Sequence, residues 1–339
     1  MKDESSCPSS FILHPSSFEV AMPVLLLTED DVRRVLTMDL ALPAVEQGLR
    51  KMALDEVQNV PRSRAQTDHA MLHVLSAAAK TLGAMGFKAY STSRRGAQFL
   101  IGLYDGKTGA LLALMQGDYL GQVRTGAASG VATQYMARPD ASEVGLFGSG
   151  KQARTQLEAV CKVRKISRVQ VYSPNEENRR KFAQEMSRRC ETEVEPVNRP
   201  EQAAEDKDII ITASTSREPV LNGHWIAEGT HINAVGSNFL GKAELDAVAV
   251  RRCDSIVVDS KDQARLEAGD FVQALEDGSI HWADVHELGQ VIVGRYTGRA
   301  HAQDVTLFKS LGIAIEDVVV AKRVYEEAQK QGVGRQLEW

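Results

Sequence analysis

A short apolar run that ends in a glycine-rich turn is the feature of this sequence that most limits its fold. Residues 144–147 are apolar, residues 148–150 are Gly-Ser-Gly, and a segment of helical periodicity follows at once. Gly148 lets a strand turn tightly into a helix, and Gly150 lets the backbone approach a ligand. Ala153 occupies the third small position of a G-x-G-x-x-G/A motif, which allows close packing of helix on strand. Because a helix start offers free N–H groups to a pyrophosphate, the segment predicts a dinucleotide-binding turn.

The chain after this turn continues as an alternation of strands and helices. Apolar runs of strand length lie at residues 168–172, 208–213, 231–236 and 255–259. Such runs are typical of parallel strands that are buried on both faces. Helical periodicity between them, as in the helices predicted over residues 175–189 and 242–252, predicts a doubly wound sheet. A glycine-rich turn also occurs as a plain structural turn, but this context favours an α/β fold of Rossmann type.

The residues after the second of these strands indicate which dinucleotide is preferred. An acidic residue at this position commonly binds the free 2′-hydroxyl of NAD. Here Ser173 and Asn175 stand there instead, and both can donate hydrogen bonds to a 2′-phosphate. Glu176 and Glu177 follow, and they either face the site or form the solvated first turn of a helix. The sequence therefore favours NADP, with NAD as the alternative.

The part of the chain before the glycine-rich turn predicts a second, smaller α/β domain. A strand at residues 24–27 precedes a helix that Thr28 can cap, with Asp31 in the return position of a capping box. Further strand-like runs lie at residues 71–76, 85–91, 99–104 and 111–115. Residues 1–21 are rich in Ser and Pro, and we expect them to be a disordered leader.

Arg124 precedes a stretch of small residues, 125–132, in a predicted helix. The absence of large side chains predicts that another element packs closely against this helix. If the helix begins near Arg124, an anion there gains from both the guanidinium and the helix dipole. The alternative is that Arg124 caps a neighbouring loop.

Composition excludes several classes of function. The chain of 339 residues has 43% hydrophobic and 25% charged residues and a net charge of −5, with no basic stripe, so we expect no nucleic-acid partner. No apolar run is long enough to cross a membrane, and the cysteines lack the spacing of a disulfide framework. No His and carboxylate cluster has metal-ligand spacing. We expect a soluble cytoplasmic enzyme without a metal.

Four segments together resemble the ornithine cyclodeaminase and mu-crystallin family. They are residues 124–127 (RTGA), 148–153 (GSGKQA), 229–234 (GTHINA) and 308–317 (FKSLGIAIED). The resemblance covers nearly the whole chain after residue 22. It implies an NAD(P)-binding Rossmann domain at 123–309 and a substrate-binding and dimerisation domain formed by 22–122 with 310–339. It further implies an active site in the cleft between them and a homodimer.

The same resemblance implies the site residues. Arg62, Lys88 and Arg124 are expected to bind a substrate carboxylate, at about 1.5–3 kcal/mol for each charge-assisted contact. Lys88 can also act catalytically, because a desolvated ammonium can move protons. Arg64 is an alternative to Arg62, since side chains two apart on a strand share a face. The expected cofactor-binding residues are Thr125, Gly148, Ser149, Gly150, Gln152, Ala153, Ser173, Asn175, Val235, Gly236, Lys309 and Ser310.

Asn238 is the departure from the family pattern that bears on the chemistry. Cyclodeaminases of the family carry an aspartate at this position, where it handles protons, whereas an amide cannot take a proton. General acid–base help contributes about 10²–10⁴ in rate, so Asn238 either weakens ornithine deamination or marks a different reaction. The alternative is that Asn238 only contacts nicotinamide or ribose.

These expectations favour hydride transfer between nicotinamide and the α-carbon of an amino acid or cyclic imino acid. Reduction of a preformed cyclic ketimine, of the pyrroline-2-carboxylate type, requires less proton traffic than ornithine cyclisation and suits Asn238. The alternatives are a true ornithine cyclodeaminase, an alanine-type amino-acid dehydrogenase and a non-catalytic protein that binds a small ligand.

Four other polar residues are singled out by their positions. His231 lies in an apolar run and is expected to be a satisfied core histidine, and Asp317 is expected to cap or salt-link the final helix. His69 and His73, on the candidate substrate sheet, stay open as functional residues.

Overall fold

The computed structural model describes residues 23–338, so the predicted leader at 1–21 lies outside the described residues. The strands are Val24–Leu27 (β1), Val57–Gln66 (β2), Ala70–Ala79 (β3), Ala84–Ser93 (β4), Gly96–Asp105 (β5), Leu111–Gln116 (β6), Glu143–Phe147 (β7), Arg168–Tyr172 (β8), Glu193–Pro196 (β9), Ile209–Thr212 (β10), His231–Ala234 (β11), Ser255–Val258 (β12), Val285–Glu287 (β13), Thr306–Lys309 (β14) and Arg335–Leu337 (β15). The helices are Glu29–Val35 (α1), Met38–Ala53 (α2), Asp118–Met136 (α3), Lys151–Val163 (α4), Glu176–Cys190 (α5), Ala247–Arg251 (α6), Lys261–Glu267 (α7), Val272–Glu276 (α8), Leu288–Ile292 (α9) and Ala314–Gln331 (α10). Within the described range, none of these helices has the length and apolarity needed to cross a membrane.

The first sheet has seven strands in the order β15-β1-β6-β5-β4-β3-β2. Only β1 and β6 pair in parallel, and the other neighbours are antiparallel. Its inner face packs on the returning helix α10, and Leu75, Ile101 and Leu103 of the sheet are buried in the same apolar core as Val318. The last long helix therefore completes a core that the first third of the chain begins.

The second sheet has eight strands in the order β13-β12-β14-β11-β10-β7-β8-β9, and all its pairs are parallel. The central strands β10, β11, β12 and β14 are buried at every residue. The direction of strand order reverses between β7 and β10, where the carboxyl ends of parallel strands leave a crevice for a ligand. The Rossmann-type α/β class with a second α/β domain is confirmed.

Helix α3 links the two sheets and packs closely on α4, as its small residues predicted. A Cβ at Gly126 would lie 2.4 Å from the carbonyl oxygen of Thr155 on α4. The helix begins at Asp118, however, and the Glu29 carboxylate accepts the backbone N–H of Asp118 at 2.6 Å. Arg124 therefore lies in the second turn, and the expectation that it gains from the helix dipole is wrong.

Two further local predictions differ from the structure. Strand β2 is absent from the strand-like runs predicted above, although Arg62 and Arg64 were taken to lie on a strand, because its sequence is polar and contains Pro61. It is an edge strand, where a proline is tolerated, and its pairing with β3 is irregular around that residue. A helix was expected over residues 242–252, but only Ala247–Arg251 is helical. The preceding residues extend because the backbone N–H of Glu244 donates to the buried carboxylate of Asp270.

Candidate active site

The three basic residues expected to bind substrate meet in one buried cluster. Arg62 lies in the irregular part of β2, Lys88 in the middle of β4 and Arg124 in the second turn of α3. Only 6%, 4% and 5% of their surfaces are exposed, in that order. A buried cation is costly unless it is paired and hydrogen-bonded. The carboxylates that pair with these three residues therefore belong to the same site.

Two consecutive carboxylates in the first turn of α10 pair with Lys88 and Arg124. Lys88 Nζ and Arg124 Nε both donate to Asp317 Oδ1, each at 3.0 Å, and Arg124 Nη1 donates to Glu316 Oε2 at 2.6 Å. Gly312 precedes the helix with a φ of 75°, and a Cβ there would lie 2.6 Å from Arg124 Nη1. The expected salt link of Asp317 exists, but its partners are the substrate-site cations rather than the helix itself.

Arg62 and Arg64 share a third carboxylate, Glu267 of α7, which is fully buried. Arg62 Nη2 also donates to the carbonyl oxygens of Leu311 and Gly312, at 3.1 and 2.8 Å. These contacts connect the seven-stranded sheet to elements that follow strands of the eight-stranded sheet. Because both arginines reach the same carboxylate, strand alternation does not decide between them.

An aromatic ladder crosses the inner face of the first sheet beside Lys88. His73, Tyr90 and Phe99 lie opposite one another on β3, β4 and β5, with ring centroids 4.2 and 5.0 Å apart. Lys88 Nζ lies 5.4 Å from the centroid of Phe99. Burial and the nearby Arg64 lower the pKa of His73 to about 4, so its ring is neutral near pH 7. His73 therefore carries no proton that it could donate as an acid near pH 7, and its ring provides an aromatic surface.

Two groups of this cluster titrate close to neutral pH. Burial lowers the pKa of Lys88 to about 8, although the Asp317 carboxylate opposes that shift. Burial also raises the pKa of Glu316 to about 8, against the opposing effect of Arg124. Perturbed pKa values of this kind cluster at functional sites. The arrangement can hold an anion and exchange a proton.

The glycine-rich turn lies at the carboxyl end of β7, at the crevice of the second sheet. Gly148 has a φ of 117°, and a Cβ there would lie 2.4 Å from the carbonyl oxygen of Ala213, so only glycine fits. A Cβ at Gly150 would meet nothing within 4 Å, and Gly150 caps α4 without a side-chain hydrogen bond. Ala153 is fully buried under this turn. An open approach to free helix N–H groups fits the pyrophosphate of a dinucleotide.

The expected adenosine-side residues lie beside this turn. The hydroxyl groups of Ser149 and Ser173 are hydrogen-bonded at 3.0 Å. The side-chain oxygen of Asn175 caps α5 by accepting the Asn178 N–H at 2.8 Å, and Arg179 Nη1 donates to the Ser173 carbonyl oxygen at 3.0 Å. Thus Asn175 keeps only its amide N–H groups for a ligand.

A buried charge network supports the strand ends on the other side of the crevice. Lys309 Nζ contacts Asp270 Oδ2 at 2.8 Å and donates to the Ser237 carbonyl oxygen at 2.6 Å. Glu244 accepts the backbone N–H of Gly236 at 2.6 Å. Neither Glu244 nor Asp270 was singled out from the sequence, since both lie outside any local motif. Four other residues were expected to bind the cofactor. Val235 and Ser310 directly follow strands β11 and β14 at the crevice, Gln152 lies in the first turn of α4, and Thr125 lies on α3, which packs against α4.

Asn238 lies on the exposed loop that follows β11. Its carbonyl oxygen accepts a hydrogen bond from Arg64 Nη2 at 3.1 Å, and the Arg64 guanidinium lies 5.6 Å from the ring centroid of Phe239. The loop thus reaches the cation cluster from the nucleotide side. The chemical role of Asn238 stays a prediction.

His231 is a core residue, as predicted, but only its Nδ1 is hydrogen-bonded, because its buried Nε2 has no partner within residues 23–338. It is fully buried, its Nδ1 pairs with Thr306 Oγ1 at 2.9 Å, and burial lowers its pKa to about 3. A ring that is neutral and enclosed at neutral pH is not available for acid–base chemistry.

Comparison with known proteins decides the family. The sequence profile of the ornithine cyclodeaminase/mu-crystallin family matches residues 22–332. The chain belongs to this family. A relative in Bacillus cereus, a Delta(1)-pyrroline-2-carboxylate reductase, is 32% identical over 93% of this chain and 100% of its own length. The family resemblance seen in the sequence motifs is therefore confirmed.

Two solved structures of the family match almost the whole chain. The Delta(1)-pyrroline-2-carboxylate reductase of Thermococcus litoralis, in complex with NADH and L-proline, is 38% identical, with a TM-score of 0.88 over 93% of this chain and 100% of that one. An archaeal alanine dehydrogenase dimer with bound NAD is 35% identical, with a TM-score of 0.89 over 94% and 100%. Both are similar to this chain in fold and in length.

Proposed function

We propose that the chain is an NAD(P)-dependent reductase of cyclic ketimines of the pyrroline-2-carboxylate type. The observation that carries this proposal is the buried cluster of Arg62, Lys88 and Arg124 on one side of a dinucleotide-binding crevice. It is supported by the relatives in Bacillus cereus and Thermococcus litoralis, which are pyrroline-2-carboxylate reductases.

The cations keep donors for a substrate carboxylate. Arg124 uses Nε and Nη1 for Asp317 and Glu316, which leaves Nη2 for a ligand. Arg62 Nε has no hydrogen-bond partner within residues 23–338, although it is buried. A buried donor without a partner is costly, and a carboxylate oxygen satisfies it. These groups are the proposed anchor of the α-carboxylate.

Lys88 is the proposed proton donor of the reduction. When bound, the nicotinamide supplies the hydride that adds to the α-carbon of the C=N bond. The nitrogen then needs one proton, which Lys88 Nζ donates before it is reprotonated from solvent. An acid with a pKa of about 8 is matched to this task at neutral pH.

The surroundings of Lys88 suit an uncharged ring. The aromatic ladder of His73, Tyr90 and Phe99 offers an apolar surface next to the ammonium. Asn238 supplies no carboxylate for the terminal ammonium of a diamino acid. Both features favour a preformed cyclic imine over ornithine.

The residues around the glycine-rich turn are proposed to hold NAD(P). Gly148 and Gly150 fit a pyrophosphate, and two family structures contain NADH or NAD. The preference for NADP stays a prediction that rests on Ser173 and Asn175.

We also propose a homodimer that pairs the outer faces of two seven-stranded sheets. Val60, Leu72 and Leu100 are 53%, 48% and 41% exposed on this sheet, and Phe87 and Met85 line a cavity of about 360 Å³. Large apolar side chains that are exposed on one face of a sheet are typical of a protein interface when they form a patch, and the archaeal relative is a dimer. Light scattering should give twice the mass of one chain for the wild type, and the mass of a single chain for Leu72→Glu.

The decisive assay follows oxidation of NADPH and NADH with Δ1-pyrroline-2-carboxylate and Δ1-piperideine-2-carboxylate, beside ornithine-dependent ammonia release. Rapid oxidation without ammonia release supports the proposal. Ammonia and proline formed from ornithine would instead identify a cyclodeaminase.

Alanine dehydrogenation is the second candidate, because the archaeal alanine dehydrogenase matches this chain as well as the reductases do. Pyruvate with ammonia belongs in the same panel. Turnover of pyruvate at a higher kcat/KM than either cyclic imine would reverse the ranking. Silence with every substrate would favour a non-catalytic binding protein.

A further inference from the structure

We infer that Asp317 is a positioning residue that keeps Lys88 protonated and fixes its ammonium beside Arg124. The inference rests on the proposed function, in which Lys88 donates a proton to the imine nitrogen. Asp317 itself is neither consumed nor protonated in the step: the proton leaves Lys88 Nζ and returns to it from solvent.

The geometry confines the Lys88 ammonium between two helices. Nζ lies 3.0 Å from Asp317 Oδ1 on α10, and on the α3 side a Cβ at Gly121 would lie only 2.7 Å from it. The same Oδ1 accepts Arg124 Nε at 3.0 Å, so one oxygen fixes the spacing of the two cations. Asp317 Oδ2 is buried and has no hydrogen-bond partner within residues 23–338.

The other charges around Lys88 do not replace Asp317. The titratable and charged groups of the surrounding elements are Arg62 and Arg64 on β2, His73 on β3, Tyr90 on β4, Arg124 on α3, Asp259 after β12, Glu267 on α7, and Glu316 and Asp317 on α10. Among the carboxylates, Glu267 pairs with the two β2 arginines and Glu316 pairs with Arg124. Asp317 alone forms a salt bridge with Lys88 among the described residues.

The direction of the effect follows from these charges. Burial, Arg124 and Arg62 all lower the pKa of Lys88, and Asp317 is the group that raises it. An opposite charge within contact distance typically shifts a pKa by about 1–3 units. Without the Asp317 charge, the ammonium loses its proton at a lower pH, and the reduction loses its acid.

The test compares Asp317→Asn with Glu316→Gln, a neighbouring substitution that removes a carboxylate from Arg124 but not from Lys88. In protein labelled with [ε-¹³C]lysine, without substrate or cofactor, the Lys88 signal is assigned by its loss in Lys88→Arg and titrated by NMR. We expect the Lys88 pKa to fall by about one unit or more in Asp317→Asn and to stay in Glu316→Gln. Equal pKa values in wild type and Asp317→Asn would overturn the inference.

The kinetic arm uses the ketimine reductase assay over the same pH range. The alkaline limb of kcat/KM should move to lower pH in Asp317→Asn, with a loss of roughly 10-fold above the limb, and Asp317→Glu should restore it. If Asp317→Asn does not fold, the wild-type titration decides, since a Lys88 that has already lost its proton below neutral pH would show that Asp317 does not keep it protonated and would refute the inference. Absence of wild-type turnover would remove the proposed function while the NMR arm still reports on Asp317.

Discussion

The two halves of the active site are built in opposite ways. The nucleotide side depends on six consecutive residues, 148–153, whose contribution is backbone shape, small size and free N–H groups. The substrate side depends on charged side chains that lie far apart in the chain, such as Lys88 and Asp317, 229 residues apart. A ligand with a constant pyrophosphate can be held by a local motif, whereas a small charged substrate needs several side chains that converge.

This contrast implies that substitutions have different effects on the two sides of the site. A change in the glycine-rich turn affects one ligand through local geometry. A change in the cation cluster leaves buried carboxylates without counter-charges, which lowers the stability of the fold as well as the affinity for substrate.

The largest effect is expected from Arg124→Ala. The substitution removes the proposed anchor of the substrate carboxylate and takes the guanidinium away from Glu316 and Asp317. We therefore expect kcat/KM to fall at least ~100-fold and the free energy of unfolding to fall by about 3–5 kcal/mol. Steady-state kinetics and thermal unfolding measure the two losses. Cofactor affinity, from quenching of intrinsic fluorescence, should stay near normal; if it falls in parallel, Arg124 has a folding role rather than a binding role.

The glycine pair tests the other half of the comparison. Gly148→Ala places a Cβ against the Ala213 carbonyl at a positive φ, so it should lower the melting temperature and abolish cofactor binding. Gly150→Ala is the matched control, because a Cβ there meets nothing within 4 Å. It should leave the melting temperature unchanged and weaken cofactor binding roughly 10-fold or more by blocking the pyrophosphate. Normal cofactor affinity in Gly150→Ala would place the pyrophosphate elsewhere.

Substitutions of Arg62 and Arg64 test which arginine of the cluster stabilises the fold and which binds the substrate. Arg62 is buried and bonded to Glu267 and two carbonyl oxygens, whereas 20% of the Arg64 side chain is exposed. Arg62→Ala should therefore destabilise the protein by about 3 kcal/mol or more, and Arg64→Ala by about 1 kcal/mol. Chemical denaturation of both variants measures the loss of stability, and steady-state kinetics measure the change in KM. A larger rise of KM in Arg64→Ala than in Arg62→Ala would assign the substrate carboxylate to Arg64.

The smallest effect is expected from Asn238→Asp, which restores the carboxylate of the cyclodeaminases on an exposed loop. Ornithine-dependent ammonia release should appear or rise, because a proton acceptor is now available. A coupled ammonia assay detects it. An unchanged rate would remove Asn238 from the chemistry and leave it as a loop residue that holds Arg64 through its carbonyl oxygen.

The nucleotide half was largely predictable from the sequence, and the substrate half was not. Residues 144–153 contain their own strand, turn and helix start, so the apolar periodicity and the glycine spacing are enough to predict the dinucleotide-binding turn. Arg62 and Lys88 came from resemblance to a family. Arg124 was also singled out by its local pattern, but as an anion contact at a helix start, and nothing local indicated that Asp317 would meet Lys88 and Arg124. Such contacts join distant parts of the chain and leave no periodic signal.

Particular misses have particular causes. The start of α3 was placed too late because its cap is Gly117 and its first N–H groups are satisfied by Glu29, a residue of another helix. The extent of strand β2 was missed, although Arg62 and Arg64 were expected on a strand, because Pro61 and its polar neighbours conceal an edge strand. Glu244 was assigned to a helix, although its carboxylate anchors Gly236 on a different strand end.

The late position of α10 in the chain has a consequence for biosynthesis. Lys88 and Arg124 are translated long before residues 316 and 317, and the whole parallel sheet is made in between. Until α10 emerges from the ribosome, the first sheet lacks both an apolar cover and the carboxylates of its buried cations. The substrate half is therefore completed only at the end of translation, and we expect a nascent chain to acquire activity no earlier than it acquires α10.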